Sequence, residues 1–154
     1  MSATAAAETE RLLFLREVTE LEARYLAQTD ARLFAAPLSV AQVQRLPADP
    51  DTAERVDAFV ARLGRLQDGL TDKLLPALLQ RLAEPVGPVI DNLNRAERWG
   101  WLISTDDWLR LRQLRNRMIH EYVKDPAVLS DALNAEHAAV PMLLAVAKAL
   151  CAEV

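Results

Sequence analysis

Apolar side chains recur at steps of three and four residues along most of this chain, and this spacing limits the fold more than any other feature. Residues spaced in this way lie on one face of an α-helix, whereas a half-buried strand needs strict alternation, which the sequence lacks. The two longest stripes comprise Leu12, Leu15, Val18, Leu21 and Tyr25, and then Val56, Phe59, Val60, Leu63, Leu66, Leu70, Leu74 and Leu78. The sequence therefore predicts an all-α protein.

Prolines and capping residues divide the chain into five predicted helices. They span about residues 4–35, 51 to a breaker at 84–88, 88–99, 104–124 and 125–150, and the last two begin at the capping residues Ser104 and Asp125. Pro76 should bend the second helix, and Pro37, Pro47 and Pro50 mark a linker before it. A chain of 154 residues supports one sizeable core. We therefore expect a single domain over residues 1–154, an up-and-down four- to five-helix bundle.

The balance of charge argues against a broad, non-specific nucleic-acid surface. The chain carries 18 basic and 22 acidic residues, with a net charge of −4 and a pI of about 5.2. Positive charge is nevertheless concentrated in residues 95–117, which include Arg95, Arg98, Arg110, Arg112, Arg115 and Arg117. Arginine suits phosphate because its planar fork donates paired hydrogen bonds, although the same bias can reflect genome composition. Any contact with a nucleic acid should therefore be local.

Other classes of protein are disfavoured by what the sequence lacks. The single cysteine, Cys151, excludes internal disulfides, and two distant histidines argue against a metal site. We see no cofactor-binding motif and therefore predict no cofactor. Since no apolar run reaches 18 residues and charges begin at Glu8, we expect neither a membrane span nor a signal peptide. These features predict a cytoplasmic protein.

Arg115 breaks the apolar pattern of the fourth predicted helix. On a helical projection of residues 108–122 it falls inside the apolar arc, four residues after Leu111 and three before Met118. An unpaired buried charge is very costly, so this guanidinium must be paired or must face a cavity or an interface. One alternative is a structural ion pair with an acid on another helix.

The residues around Arg115 form a set suited to RNA cleavage without a metal. Because a histidine side chain ordinarily titrates near neutral pH, His120 can transfer the proton of the 2′-hydroxyl or of the leaving oxygen, while Arg115 stabilises the charge that builds on phosphorus. Asn116 can bind a phosphate oxygen or orient His120. Arg115 and His120 lie about 140° apart on a regular helix, so one helix alone does not aim both at one atom. A two-fold dimer would supply two copies of each to one cleft.

Ordinary structural roles compete with these assignments. His120 can be a partly buried residue without a role in catalysis, Tyr122 can belong to the core, and His137 has nothing diagnostic around it. The three tryptophans of this region, Trp99, Trp101 and Trp108, are better explained by packing than by base stacking.

The spacing Arg-x-x-x-x-His-x-Tyr, carried by Arg115, His120 and Tyr122, resembles the signature of HEPN domains. It is similar to the HepT-like branch encoded beside minimal nucleotidyltransferases, in which an Asn follows the Arg, as Asn116 does here. Residues 93–100 and 59–64 are also similar to that branch, and the resemblance covers residues 55–125, about half of the chain.

This resemblance implies a helical bundle that dimerises with the motif at its interface, and a metal-independent endoribonuclease acting as the toxin of a toxin–antitoxin pair. Arg115 and His120 would be catalytic, Asn116 and Arg117 supporting, and Tyr122 the acceptor of AMP from the partner nucleotidyltransferase antitoxin. The alternatives from other classes are a non-catalytic nucleotide- or substrate-binding subunit of a nucleotidyltransferase, and a plain interaction bundle.

Overall fold

A computed structural model describes the backbone of residues 2–121 and 125–154, and the side chains of residues 2–118 and 125–154. Within these residues the protein is all-α, with no strand, which confirms the predicted fold class. The α-helices are α1 (Ala3–Leu33), α2 (Val40–Gln44), α3 (Pro50–Gly69), α4 (Leu75–Arg81), α5 (Val89–Arg98), α6 (Thr105–Glu121) and α7 (Pro126–Ala152).

The helices begin at the polar caps that the sequence indicates. The hydroxyl of Ser104 accepts a hydrogen bond from the backbone N–H of Asp107 at 3.1 Å, at the start of α6. The carboxylate of Asp125 accepts one from the N–H of Ala127 at 2.9 Å, and Pro126 occupies the first turn of α7. These caps satisfy N–H groups that have no partner within the helix. The predicted starts of both helices are therefore confirmed.

The second predicted helix is interrupted next to its proline. A π-helical turn, Leu70–Leu74, follows α3 directly and leads into α4. Pro76 has no N–H to donate, and its ring would clash with the carbonyl of Asp72 in a regular α-helix. The widened turn removes this clash and joins α3 to α4. The sequence predicted a bend near Pro76 but not this π-helical turn.

The proline-rich linker after α1 is ordered by α7. Ser39 and Gln42 form a capping box that starts the short helix α2. Just before it, the amide of Asn134 bonds both the N–H and the carbonyl of Leu38, each at 2.9 Å, and the hydroxyl of Ser130 donates to the same carbonyl at 2.8 Å. The linker is therefore a docked segment, which the sequence did not predict.

The buried side chains form one core to which the long helices contribute. Contacts join α1 to α3 and α7, and α6 to α5 and α7. The side chains of Phe59, Leu63 and Leu66 on α3 and of Leu133 and Leu143 on α7 are fully buried. The structure is thus a helical bundle, while its predicted assembly as a dimer stays a prediction.

The last helix, α7, is long and apolar enough to cross a membrane by length and composition alone, with a mean hydropathy of 1.4 over its most apolar window. The core helix of a soluble protein meets the same criteria. Here α7 packs against α1, α2 and α6, and it buries Leu133 and Leu143 in the core described above. One third of the residues in that window are buried, so the expected absence of a membrane span stays a prediction.

Candidate functional site

Arg115 points from α6 onto α3 and is fixed there by three hydrogen bonds. Its Nη1 donates to Asp68 Oδ1 at 2.8 Å and its Nη2 to Asp68 Oδ2 at 3.0 Å, which is a paired arrangement of guanidinium and carboxylate. Nη1 also donates to Gln67 Oε1 at 2.8 Å. The side chain of Arg115 is 19% exposed and that of Asp68 is 47% exposed. Of the three alternatives expected for Arg115, a partner, a cavity or an interface, the structure shows the partner.

Gln67 connects this arginine to the core of the bundle. Its side chain is fully buried, and its Nε2 donates to the carbonyl of Trp108 at 3.0 Å. The indole N–H of Trp108 in turn donates to the hydroxyl of Thr71 at 2.9 Å, and that hydroxyl donates to the carbonyl of Gln67 at 2.8 Å. Each of these buried polar groups is satisfied, so the network fixes α6 against α3 at the level of Arg115.

Gly64 gives the guanidinium its place against α3. A Cβ atom at this position would lie 2.8 Å from Arg115 Nη2 and 3.3 Å from its guanidinium carbon. Any other residue would therefore push the guanidinium away from Asp68. The close approach explains a glycine in the middle of a 20-residue helix, where it is otherwise unfavourable.

Asp68 is held in its ionised form by this contact. The hydrogen bonds from Arg115 are the largest cause and lower the pKa of the Asp68 carboxyl below its usual value of 3.8, and the Arg115 charge acts in the same direction. Partial burial opposes the change but is the weaker influence. At neutral pH the pair is therefore a carboxylate and a guanidinium whose charges largely cancel.

A second carboxyl, that of Glu136 on α7, behaves in the opposite way. Its side chain is fully buried, and neither carboxyl oxygen has a hydrogen-bond partner among the described residues. Burial raises the pKa of Glu136 from 4.5 to about 7, and the Arg115 charge only partly counteracts this. The Glu136 carboxyl therefore titrates near neutral pH, far above the usual range of a glutamate.

Arg115 also borders an apolar groove. The groove has a volume of about 410 Å³ and runs between α3, the segment before it, α6 and α7. Its walls are mainly aliphatic, and among the described residues its polar side chains are Arg115 and Asp57. The lining residues are Leu46, Pro47, Ala53, Val56, Asp57, Val60, Ala61, Arg115, Met118 and Leu129. Arg115 is thus both paired and turned toward a cavity.

Of the other predicted site residues, the structure describes the side chains of Asn116 and Arg117 but not those of His120 and Tyr122. Asn116 and Arg117 are exposed on α6, and Arg117 lines an adjacent hollow of about 290 Å³ that shares Met118 and Leu129 with the groove. His120 belongs to α6, five residues after Arg115, but its side chain lies outside the described residues. Tyr122 lies outside them altogether. Their predicted roles stay predictions.

The tryptophans and the second histidine have structural contacts of their own. Trp108 is buried, and Trp101 stacks on the half-exposed Trp99 with ring centroids 5.3 Å apart. His137 stacks on Phe34, and its Nδ1 lies 2.6 Å from Asp30 Oδ1. These contacts account for Trp108 and His137 as parts of the bundle.

No group of three or more His, Cys, Asp or Glu side chains within the described ranges is arranged to hold a metal ion. Among the described residues, the polar groups that meet at this point are the Arg115 guanidinium, the Asp68 carboxylate and the Gln67 amide.

Sequence reasoning did not find Gly64, Gln67, Asp68 and Glu136. Three of these residues carry a weak signal in the sequence. Gln67 is a polar residue next to the apolar stripe of α3, and Gly64 and Asp68 are four residues apart and therefore share a face. Neither signal identifies Arg115 as the partner, because the contact joins residues 47 positions apart.

No protein-family model, curated protein or solved structure matches this chain.

Proposed function

We propose that this protein is a metal-independent endoribonuclease of the HEPN type, which cleaves RNA at a cleft formed by two copies of the chain. His120 transfers the proton, Arg115 binds the scissile phosphate and stabilises its transition state, and Asn116 and Arg117 assist. In the same proposal the partner is a minimal nucleotidyltransferase antitoxin, the AMP acceptor is Tyr122 and the location is the cytoplasm.

The observation that carries the proposal is the orientation of Arg115. Its guanidinium is fixed by Asp68 and Gln67, lies against Gly64 and borders a groove. A catalytic cation needs such support, because a group that is already oriented loses little freedom when the transition state forms. A guanidinium with five N–H donors retains some of them for a phosphate while two nitrogens bond Asp68.

The separation of Arg115 and His120 favours a site shared between two chains. Five residues of α6 place their Cα atoms about 7.5 Å apart along the helix and about 140° apart around it. A two-fold axis close to this face would bring His120 of each chain toward Arg115 of the other. The apolar groove and the adjacent hollow next to Arg115 supply surface that a second copy can cover.

RNA cleavage by the purified protein in the presence of EDTA tests the proposal. We expect the wild type to cleave cellular RNA, and His120→Ala and Arg115→Ala each to lower the rate by about 100-fold or more. Tyr122→Phe should leave cleavage intact but abolish labelling by the partner nucleotidyltransferase with radioactive ATP.

Matched variants separate catalysis from folding. His137→Gln removes the other histidine, which pairs with Asp30, and Arg110→Ala removes an exposed arginine of the same helix. Both should retain cleavage near the wild-type rate. Equal cleavage by His120→Ala and the wild type, with both proteins folded, would exclude His120 from the chemistry.

The pairing of Arg115 with Asp68 also favours a second candidate, a non-catalytic interaction bundle in which this ion pair only fixes α6 on α3. In that case the wild type leaves RNA intact, and Arg115→Ala lowers the melting temperature without changing any reaction. A nucleotide that raises the melting temperature while RNA stays intact would instead indicate the nucleotide-binding subunit of a nucleotidyltransferase.

A further inference from the structure

A second group of arginines lies in a cleft between α1 and α3, away from Arg115. The cleft has a volume of about 250 Å³. Arg32 enters it from α1, and Arg55 and Arg62 enter it from α3. At about 100° per residue, the α3 residues of this cleft and those of the Arg115 groove occupy opposite faces of the helix. The two regions are therefore separate surfaces.

Arg62 is oriented by neutral groups only. Its Nη1 donates to the carbonyl of Tyr25 at 3.2 Å and to the hydroxyl of Thr29, and its guanidinium carbon lies 5.3 Å from the centre of the Tyr25 ring. None of these partners carries a negative charge. In contrast to Arg115, this guanidinium therefore keeps its full positive charge while its position is fixed.

Within the described part of the chain, no carboxylate lies within 4 Å of a guanidinium nitrogen of Arg32, Arg55 or Arg62. The lining carries three positive side chains, which attract an anion, and two negative ones, so the net charge of the cleft is +1. Two carboxylates, Asp51 and Glu54, also line the cleft, near the start of α3. They would repel a second negative group at that end.

We propose that this cleft binds a single phosphate group. The planar forks of the arginines match the oxygens of phosphate, and the buried hydroxyl of Thr29 lies at the same wall. The carboxylates of Asp51 and Glu54 favour one phosphate over a polyphosphate chain. The phosphate is either free or part of an RNA backbone, and the site is independent of the nuclease proposal, because it contains neither Arg115 nor His120.

Calorimetric titrations with inorganic phosphate, tripolyphosphate and a 12-nucleotide single-stranded 2′-O-methyl RNA, which lacks the 2′-hydroxyl needed for the proposed cleavage, test this inference at constant ionic strength. We expect phosphate to bind more tightly than tripolyphosphate. The double variant Arg32→Gln/Arg55→Gln should weaken phosphate binding by at least about ten-fold, because each lost charged hydrogen bond contributes about that factor. Arg62→Lys, which keeps the charge and loses the fork, should weaken it less.

The control is Arg24→Gln/Arg81→Gln, which removes the same charge from exposed positions outside the cleft. RNA binding that phosphate displaces and that the cleft variant loses would identify the RNA backbone as the source, whereas binding of phosphate alone would identify the free ion. Three results would overturn the proposal. These are no binding of either phosphate or the RNA strand, tighter binding of tripolyphosphate than of phosphate, and an equal loss of phosphate affinity in the two double variants.

Discussion

Two carboxyl groups near Arg115 have opposite pKa shifts, and the comparison shows what determines the charge of this region. Asp68 on α3 is half exposed, accepts two hydrogen bonds from the guanidinium and has a lowered pKa. Glu136 on α7 is fully buried, accepts none within the described residues and has a pKa raised to about 7.

The difference shows that a nearby positive charge does not by itself keep a carboxyl group ionised. Direct hydrogen bonds lower the pKa of Asp68 although the group is partly desolvated, whereas the Arg115 charge alone is outweighed by burial at Glu136. As a result, the Asp68 carboxyl on the α3 side of Arg115 is ionised at neutral pH, whereas the Glu136 carboxyl on the α7 side titrates near neutral pH. The variants below test each side of this comparison.

Glu136→Gln should have the largest effect on stability, and the effect should depend on pH. The folded state binds the proton of Glu136 up to about pH 7, and the unfolded chain only up to about pH 4.5. In the wild type, the contribution of Glu136 to the free energy of unfolding should therefore fall by up to about 3 kcal/mol as the pH rises from 4.5 through 7. Glutamine cannot ionise, so the variant should be more stable than the wild type at pH 8.

Urea unfolding between pH 4 and pH 9 measures this difference. The control Glu153→Gln removes an exposed carboxyl of the last turn and should change stability little at any pH. If Glu136→Gln were no more stable than the wild type at pH 8, ionisation of the buried Glu136 carboxyl would not destabilise the protein.

Arg115→Met should be the next largest change, with a loss of about 2 kcal/mol at pH 7. Methionine keeps an unbranched side chain but leaves Gln67 Oε1 buried without its donor and removes both bonds to Asp68. Because the Arg115 charge lowers the pKa of Glu136, the variant should also shift the Glu136 titration to higher pH. Urea unfolding at several pH values reports both effects, with Arg110→Met as the exposed control.

Asp68→Asn should have a smaller effect of about 1 kcal/mol, because both partners are reached by solvent and the amide still accepts one hydrogen bond. The folded pKa of Asp68 is lowered, so its contribution is present above the unfolded value of 3.8 and is lost as the pH falls through the folded value. The difference between wild type and variant should therefore vanish in strong acid. A difference that persisted there would arise from packing and not from charge.

Gly64→Ala should change stability least and the position of Arg115 most. The gain in helix propensity from alanine, about 1 kcal/mol, offsets the displacement of a guanidinium that lies 2.8 Å from the new Cβ. The melting temperature should stay near that of the wild type while RNA cleavage falls, if Arg115 acts as proposed.

The matched control for this variant is Gly69→Ala in the same helix. Its Cβ would lie 3.5 Å from Glu22 Oε2, which is an ordinary contact, so cleavage should be unchanged. A Gly64→Ala protein as active as Gly69→Ala would show that the orientation of Arg115 does not limit the reaction.

Part of the candidate site could be predicted from the sequence because helical periodicity is local. The apolar arc of α6 identified Arg115 as a charge in an apolar position, and this required a partner or a cavity. Both are present in the structure. The partner itself was not predicted, because Asp68 is 47 residues away and other acids lie nearby, Asp57 on α3 and Asp72 in the π-helical turn that follows it.

Local patterns along the chain predicted the long helices, the caps at Ser104 and Asp125 and the anomalous position of Arg115, because each of these depends on residues a few positions apart. The packing of the helices revealed what these patterns do not contain: α3 supplies Asp68 and Gln67, α7 buries Glu136, and a π-helical turn accommodates Pro76. Contacts between helices and the loss of water around a carboxyl group depend on the packing of distant segments, which no local pattern records.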